Sequence, residues 1–179
     1  MVISPVIYPS GAYEMSMNVK YRMPSLPLVF GAVVLSFAAA VIGSLVTVTG
    51  DGSWFMTELI KPEWQPPNYL FGPVWTVLYF LMGIALAFVL AEGMKRRDVQ
   101  IATVVFLVQL VLNVLWSYLF FGWHLLGAAA AEIVVLWILI AATMWLFYKI
   151  RPFAAYLLIP YLAWVTFATY LTVVIWMLN

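Results

Sequence analysis

The chain has 179 residues, of which 66% are apolar and only 8% are charged. A soluble domain carries about 25% charge, so too few charges are present to cover a water-facing surface, and the apolar content is far too high for a disordered chain. A helical membrane protein remains, and at ~20 residues per span there is room for five spans plus loops. Cysteine is absent and His124 is the single histidine, which excludes disulfides, thiolate sites and cysteine nucleophiles and argues against a zinc or iron centre.

Residues 1–25 read as an irregular tail with scattered prolines and two basic residues, Lys20 and Arg22. The tail lacks the charge, core and cleavage pattern of a signal peptide. Residues 26–48 form the first apolar run, long enough to cross a bilayer. Residues 49–70 then hold Asp51, Glu58, Lys61 and Glu63 together with Pro62, Pro66 and Pro67, and carry Trp54 and Trp64. This reads as a long, stiff, non-helical loop, better suited to a shaped lid than to a linker. The second span is expected over 71–91, with Pro73 in its first turn, where the missing N–H costs little. A charged turn follows, then a third span over 99–121, a tight turn at Gly122 and Trp123, a fourth span over 124–148, and a fifth over 152–178. The fold class is thus an all-α integral membrane bundle of five helices, with residues 26–179 as one domain.

Charge placement supports the count. The tail, the second loop and the fourth loop lie on one side of a five-span chain and hold seven of the eight basic residues; only Lys61 lies on the other. By the positive-inside rule the N-terminus is cytoplasmic, and the proline-rich loop and the C-terminus are outside, as in insertion into a plasma (inner) membrane.

Within the spans, Glu132 is the one deeply placed charge, and such a group marks either function or a polar clamp. Reflection about a tight turn at 122–123 sets it level with Asn113, which shares a helix face with Gln109 and Ser117. A hydrogen bond between Glu132 and Asn113, direct or through water, is expected. It would serve as a ligand contact, a proton relay or an interhelical clamp. The small residues from Gly127 to Ala131 allow close helix contact, in the bundle or in a dimer. Pro160 should break the fifth helix near Tyr156, and Tyr161, Trp164, Ala168 and Thr172 then fall on one face that could wall a cavity. His124, at a helix end, reads as a capping or interfacial residue. No Ser-His-Asp, paired-carboxylate, P-loop or dinucleotide pattern occurs, and no basic stripe suits nucleic acid.

Five runs carry a family resemblance. The run Lys61-Pro62-Glu63-Trp64-Gln65-Pro66-Pro67, followed by Phe71-Gly72-Pro73-Val74-Trp75-Thr76-Val77-Leu78-Tyr79, resembles the signature of the translocator protein, or tryptophan-rich sensory protein, family, also called peripheral-type benzodiazepine receptors. The run Asn113-Val114-Leu115-Trp116-Ser117-Tyr118 is similar to its third-helix motif, and Leu158-Ile159-Pro160-Tyr161-Leu162-Ala163-Trp164 with Phe167-Ala168-Thr169-Tyr170 to its fifth. The resemblance covers about residues 26–178. It implies five helices, a homodimer and a cavity beneath the first loop that takes porphyrins such as protoporphyrin IX, with sterols or synthetic ligands in some members. It requires no cofactor; the tetrapyrrole is the ligand. The residues so implied as ligand-binding are Trp64, Pro66, Trp75, Asn113, Trp116, Tyr161, Trp164 and Ala168.

Some bacterial members degrade protoporphyrin in light. The tryptophans matching those implicated are Trp75 and Trp164, which would be the catalytic pair if this chain is an enzyme. The leading expectation is a receptor or carrier for tetrapyrroles with a regulatory or stress-sensing role. The alternatives are a light- and oxygen-dependent porphyrin-degrading enzyme, and a lipid-, sterol- or partner-binding membrane module. The chain departs from the family pattern in two places. The aromatic pair expected six and five residues before Lys61 is Phe55 and Met56, with Trp54 one step off. Tyr170 is followed by no basic residue, so a sterol motif is incomplete there; Leu146-Phe147-Tyr148-Lys149-Ile150-Arg151 fits the same loose pattern on the wrong helix.

Overall fold

In hydrocarbon a backbone has no partner but itself, so each long apolar run closes into a helix. A computed structural model describes residues 21–179, and all regular structure among them is helical. The elements are α1 (Leu26–Ser44), a short α2 (Trp54–Thr57), α3 (Phe71–Ala91) entered through a 3₁₀ turn at Asn68–Leu70, α4 (Arg97–Ser117) continued by a π-turn at Tyr118–Gly122, α5 (Leu126–Ile150), α6 (Pro152–Tyr156) and α7 (Ile159–Leu178). Five stretches are long and apolar enough to cross a membrane: α1, α3 with its entry turn, α4 with its π-turn, α5, and α6 with α7. Of the tail expected to be irregular, residues 1–20 lie outside the described residues, and residues 21–25 have no regular structure.

The ends of the elements follow local chemistry. α1 stops at Ser44, four residues short of the apolar run. There the Ser44 hydroxyl donates to the Val41 carbonyl (2.7 Å) and the Thr47 hydroxyl to the Gly43 carbonyl (2.9 Å), while the backbone tightens to i→i−3 bonds. The loop at 49–70 is not wholly non-helical: Ser53 starts the single turn of α2, and Pro67 leads into the 3₁₀ turn. The expected tight turn at 122–123 is longer. The π-turn closes with Trp123 N–H on the Tyr118 carbonyl at 2.7 Å, and His124 adopts φ 55° before α5 begins. The fifth span breaks after Tyr156. Pro160 has no N–H to give to the carbonyl four residues back, which is that of Tyr156.

The helices form a ring in which α1 lies against α3 and α4, α5 against α4 and α7, and α3 against α6 and α7. The seam between α1 and α3 is the tightest: a Cβ on Gly83 would lie 2.6 Å from Val33 Cα. The buried side of α1 is a stripe of small residues, Ala32, Ser36, Ala39 and Gly43. The main core fills the lower bundle around Met82, Leu86, Phe106, Ile140 and Phe147. A second cluster of Phe55, Leu59, Phe120, Ala129, Leu171 and Ile175 lies under the lid.

A buried ion pair closes the end of the bundle opposite the lid. Arg151, at the α5–α6 junction, reaches Glu92, just past α3, at 3.2 Å, with both side chains under a tenth exposed. The same Arg151 Nη1 donates to the Arg22 carbonyl, and Glu92 Oε1 accepts the Arg22 N–H at 3.2 Å. The guanidinium also lies 4.4 Å from the Phe88 ring.

Candidate functional site

Between the lid and the core is a cavity of about 450 Å³, within the ordinary range for a small-molecule site. α1 contributes Phe37, Ala40 and Gly43; α3 contributes Phe71, Trp75 and Tyr79; α4 contributes Asn113, Trp116 and Ser117; α7 contributes Trp164, Ala168 and Thr172. Phe55 and Asn68 of the lid roof it, and Ile133 and Leu136 of α5 complete the wall. The surface is apolar and aromatic with a few hydroxyls and amides, which suits a flat apolar ligand with sparse polar groups.

Its floor is a hydrogen-bonded chain across three helices. The Tyr79 hydroxyl donates to Asn113 Oδ1, Asn113 Nδ2 donates to the Tyr161 hydroxyl (3.1 Å), and that hydroxyl donates to Gln109 Oε1 (2.8 Å). Each of the four groups is buried, so the chain satisfies polar atoms that hydrocarbon could not. Trp75 leans on both tyrosine rings, at 5.4 and 6.2 Å between centroids.

The expected direct bond between Glu132 and Asn113 is not made. Asn113 turns to the two tyrosines, and both Glu132 carboxylate oxygens are buried with no hydrogen-bond partner among the described residues. The cause is the turn. With α4 and its π-turn ending at Gly122 and α5 starting at Leu126, the centre of reflection moves to about residue 124. Glu132 then mirrors position 116 instead of 113. The small run is divided: Ala129 and Ala130 are buried and Gly127 faces Trp176, whereas Ala128 and Ala131 are exposed.

Of the residues singled out from the sequence, Trp75, Asn113, Trp116, Trp164 and Ala168 line the cavity together. Tyr161 is fully buried beneath it. Trp64 is 44% exposed and lies on the outside of the lid, stacked on Tyr170 at 5.2 Å; it and the half-buried Pro66 are outside the lining. Of the two positions where the family pattern expects aromatics, Phe55 turns inward, packing on Phe121 at 5.5 Å, and Met56 is the departure. Lys61 Nζ donates to the Phe55 carbonyl and sits 4.9 Å from its ring. Trp54 also meets Phe120, edge-on at 6.3 Å, and stacks on His124 at 3.8 Å.

Sequence reasoning missed Phe71, Tyr79, Phe55 and the whole α1 wall. Phe71, Trp75 and Tyr79 share one face at four-residue spacing, a signal that was present. The α1 wall, Phe37 and Ala40 with Gly43, shares only Gly43 with the small-residue stripe and had no distinct signal.

The chain matches the TspO/MBR family over residues 32–177. It is 46% identical over 145 residues to the tryptophan-rich protein TspO of Chlorobaculum tepidum, covering 81% of this chain and 91% of that protein. It is 38% identical over 141 residues to the tryptophan-rich sensory protein of Cereibacter sphaeroides (77% and 85% covered). It is 37% identical over 130 residues to the translocator protein of Homo sapiens (72% and 77% covered). Five apolar helices with this signature make the chain an integral, multi-pass membrane protein, and it belongs to the TspO/MBR family.

Proposed function

We propose that the protein is a membrane receptor or carrier that binds a tetrapyrrole of the protoporphyrin IX kind in the cavity beneath the lid, in a regulatory or stress-sensing role. The observation that carries this reading is the convergence of Trp75, Trp116 and Trp164 on one largely apolar cavity. A flat macrocycle stacks on indole faces, and the cavity's few hydroxyls and amides orient its polar edge. The relatives' names, sensory protein and translocator protein, fit a receptor or carrier role.

The same reading places the N-terminus in the cytoplasm and the lid outside a plasma membrane, from the charge asymmetry. It includes a homodimer, for which the exposed Ala128 and Ala131 offer a close-approach strip on α5.

Trp75 and Trp164 both line the cavity, so light-dependent breakdown of the bound porphyrin is the second reading. Titration of the detergent-purified protein with protoporphyrin IX, in the dark and then under light with oxygen present, separates the two. Saturable tryptophan quenching in the dark with a stable porphyrin absorption band in light is the expected result. Loss of the band that disappears in Trp75→Phe and Trp164→Phe would replace the receptor with an enzyme. Absence of saturable dark binding would remove the tetrapyrrole from both.

A further inference from the structure

The cavity has one wall that also faces lipid. On the outside of the bundle, between α3 and α7, runs a groove lined by Pro73, Val74, Val77, Pro160, Ala163 and Phe167. Trp164 lines this groove and lines the inner cavity as well. A single indole therefore partitions the cavity from the bilayer.

That partition is lightly held. The Trp164 ring meets Phe71 edge-on at 5.9 Å and Phe167 tilted at 5.8 Å. No hydrogen bond among the described residues fixes its N–H, in contrast to Trp137, whose Nε1 donates to Thr166 at 2.7 Å. Pro73 and Pro160 stand in the first turns of α3 and α7 beside the groove, and neither can donate a backbone bond to bind its turn to the preceding chain.

The lid, by contrast, is fastened at several points. Asn179, just past α7, exchanges two hydrogen bonds with the Ile60 backbone, at 2.9 and 3.0 Å. Trp54 stacks on His124, and Trp64 on Tyr170. Raising the lid breaks all of these, whereas rotating Trp164 gives up two ring contacts and its packing on the edge of the main core but no hydrogen bond among the described residues. A flat apolar ligand also partitions into hydrocarbon, so it is most concentrated at the mouth of the groove.

We infer that the groove is a lateral portal: an apolar ligand dissolved in the bilayer passes between α3 and α7 into the cavity as the Trp164 indole swings aside, with the lid shut. The ligand class rests on the tetrapyrrole reading above; the portal itself rests on the shared indole.

The test uses the full chain in lipid nanodiscs, with protoporphyrin IX delivered from vesicles in the dark and tryptophan quenching followed in time. Ala163→Trp fills the groove from outside without entering the cavity lining, Ala163→Leu fills it partly, and Asn179→Ala releases the lid. The portal predicts that Ala163→Trp slows association and dissociation alike by about tenfold, with Kd unchanged. Ala163→Leu should be intermediate and Asn179→Ala without effect. Unchanged rates in both Ala163 variants, with faster exchange in Asn179→Ala, would overturn the portal in favour of entry under the lid.

A second arm needs no porphyrin. Lipids brominated in mid-chain should quench the wild type more than Trp164→Phe, because the indole meets acyl chains in the groove; equal fractional quenching would overturn the portal. A wild type that takes up no porphyrin would count against the ligand reading alone, and the brominated-lipid result would then decide the portal.

Discussion

Arg151→Ala should destabilise the protein by about 3–5 kcal/mol, the usual cost of leaving one member of a buried ion pair unpaired. Glu92 is the member left behind. Its side chain is 8% exposed, and the guanidinium nitrogen 3.2 Å away is its cationic partner. The substitution also removes the donor to the Arg22 carbonyl and the cation over the Phe88 ring. It therefore unties three parts of the chain at once: the segment before α1, the end of α3 and the α5–α6 junction. The control is Arg96→Ala. Arg96 lies 2.7 Å from Asp98, a shorter contact, but the two side chains are 47% and 51% exposed. Water and salt screen that pair, and its loss should cost about 0–1 kcal/mol. Thermal unfolding of the two variants in detergent reads the difference. An Arg151→Ala protein as stable as Arg96→Ala would show that the buried pair does not hold this end of the bundle.

Gly83→Ala should be destabilising by about 1–3 kcal/mol or somewhat more, because overpacking here cannot be relieved by a side-chain rotation. The added methyl would lie 2.6 Å from Val33 Cα and 3.0 Å from Val33 N, so backbone must move. α1 and α3 would separate, and both carry cavity wall, Phe37 and Ala40 on one and Trp75 and Tyr79 on the other. Weaker ligand binding should accompany the lost stability. Gly31→Ala, on α1, the other helix of the seam, but with open space around the new methyl, should instead be neutral or stabilising by about 0.5–1 kcal/mol, from the better helix propensity of alanine. Opposite signs at the two glycines are the diagnostic result, read by unfolding and by ligand titration on the same samples. Equal effects would mean that helix propensity, not the α1–α3 contact, governs both sites.

The bundle was legible in the sequence because its spans are long, apolar and separated by charged or proline-rich turns. The break of the last span was legible too, since a proline at position 160 leaves the Tyr156 carbonyl without a donor, and α6 ends there. What could not be read was register. Glu132 was matched to Asn113 on the assumption of a tight turn. The π-turn and the left-handed His124 lengthen that turn and shift the facing helix by about three residues. Hydropathy carries no signal for an i→i−5 bond.

The cavity was legible in the residues that carry aromatic or polar character within a span, Trp75, Asn113, Trp116 and Trp164. It was illegible along α1, which is apolar on nearly every side, so Phe37 on the cavity wall does not stand out from its outward-facing neighbours. The lid shows the same limit. Trp64 and Pro66 belong to the signature, yet Trp64 stacks outside on Tyr170 while Phe55, outside the quoted signature runs, turns into the cavity. Composition places an aromatic in a loop; only packing decides which way it faces.

The central claim is that a tetrapyrrole occupies this cavity. Ala168 lines it from α7, between Trp164 and Thr172 on the same face, so Ala168→Trp places an indole in the space the ligand needs while leaving the lid and the floor untouched. Dark titration of wild type and Ala168→Trp with protoporphyrin IX, followed by tryptophan quenching, is the most direct measurement. The account predicts saturable binding by the wild type and its loss, or a rise of Kd by about a hundredfold, in the variant, provided the variant unfolds at the wild-type temperature. Equal affinity in both would place the porphyrin elsewhere on the protein and contradict the account.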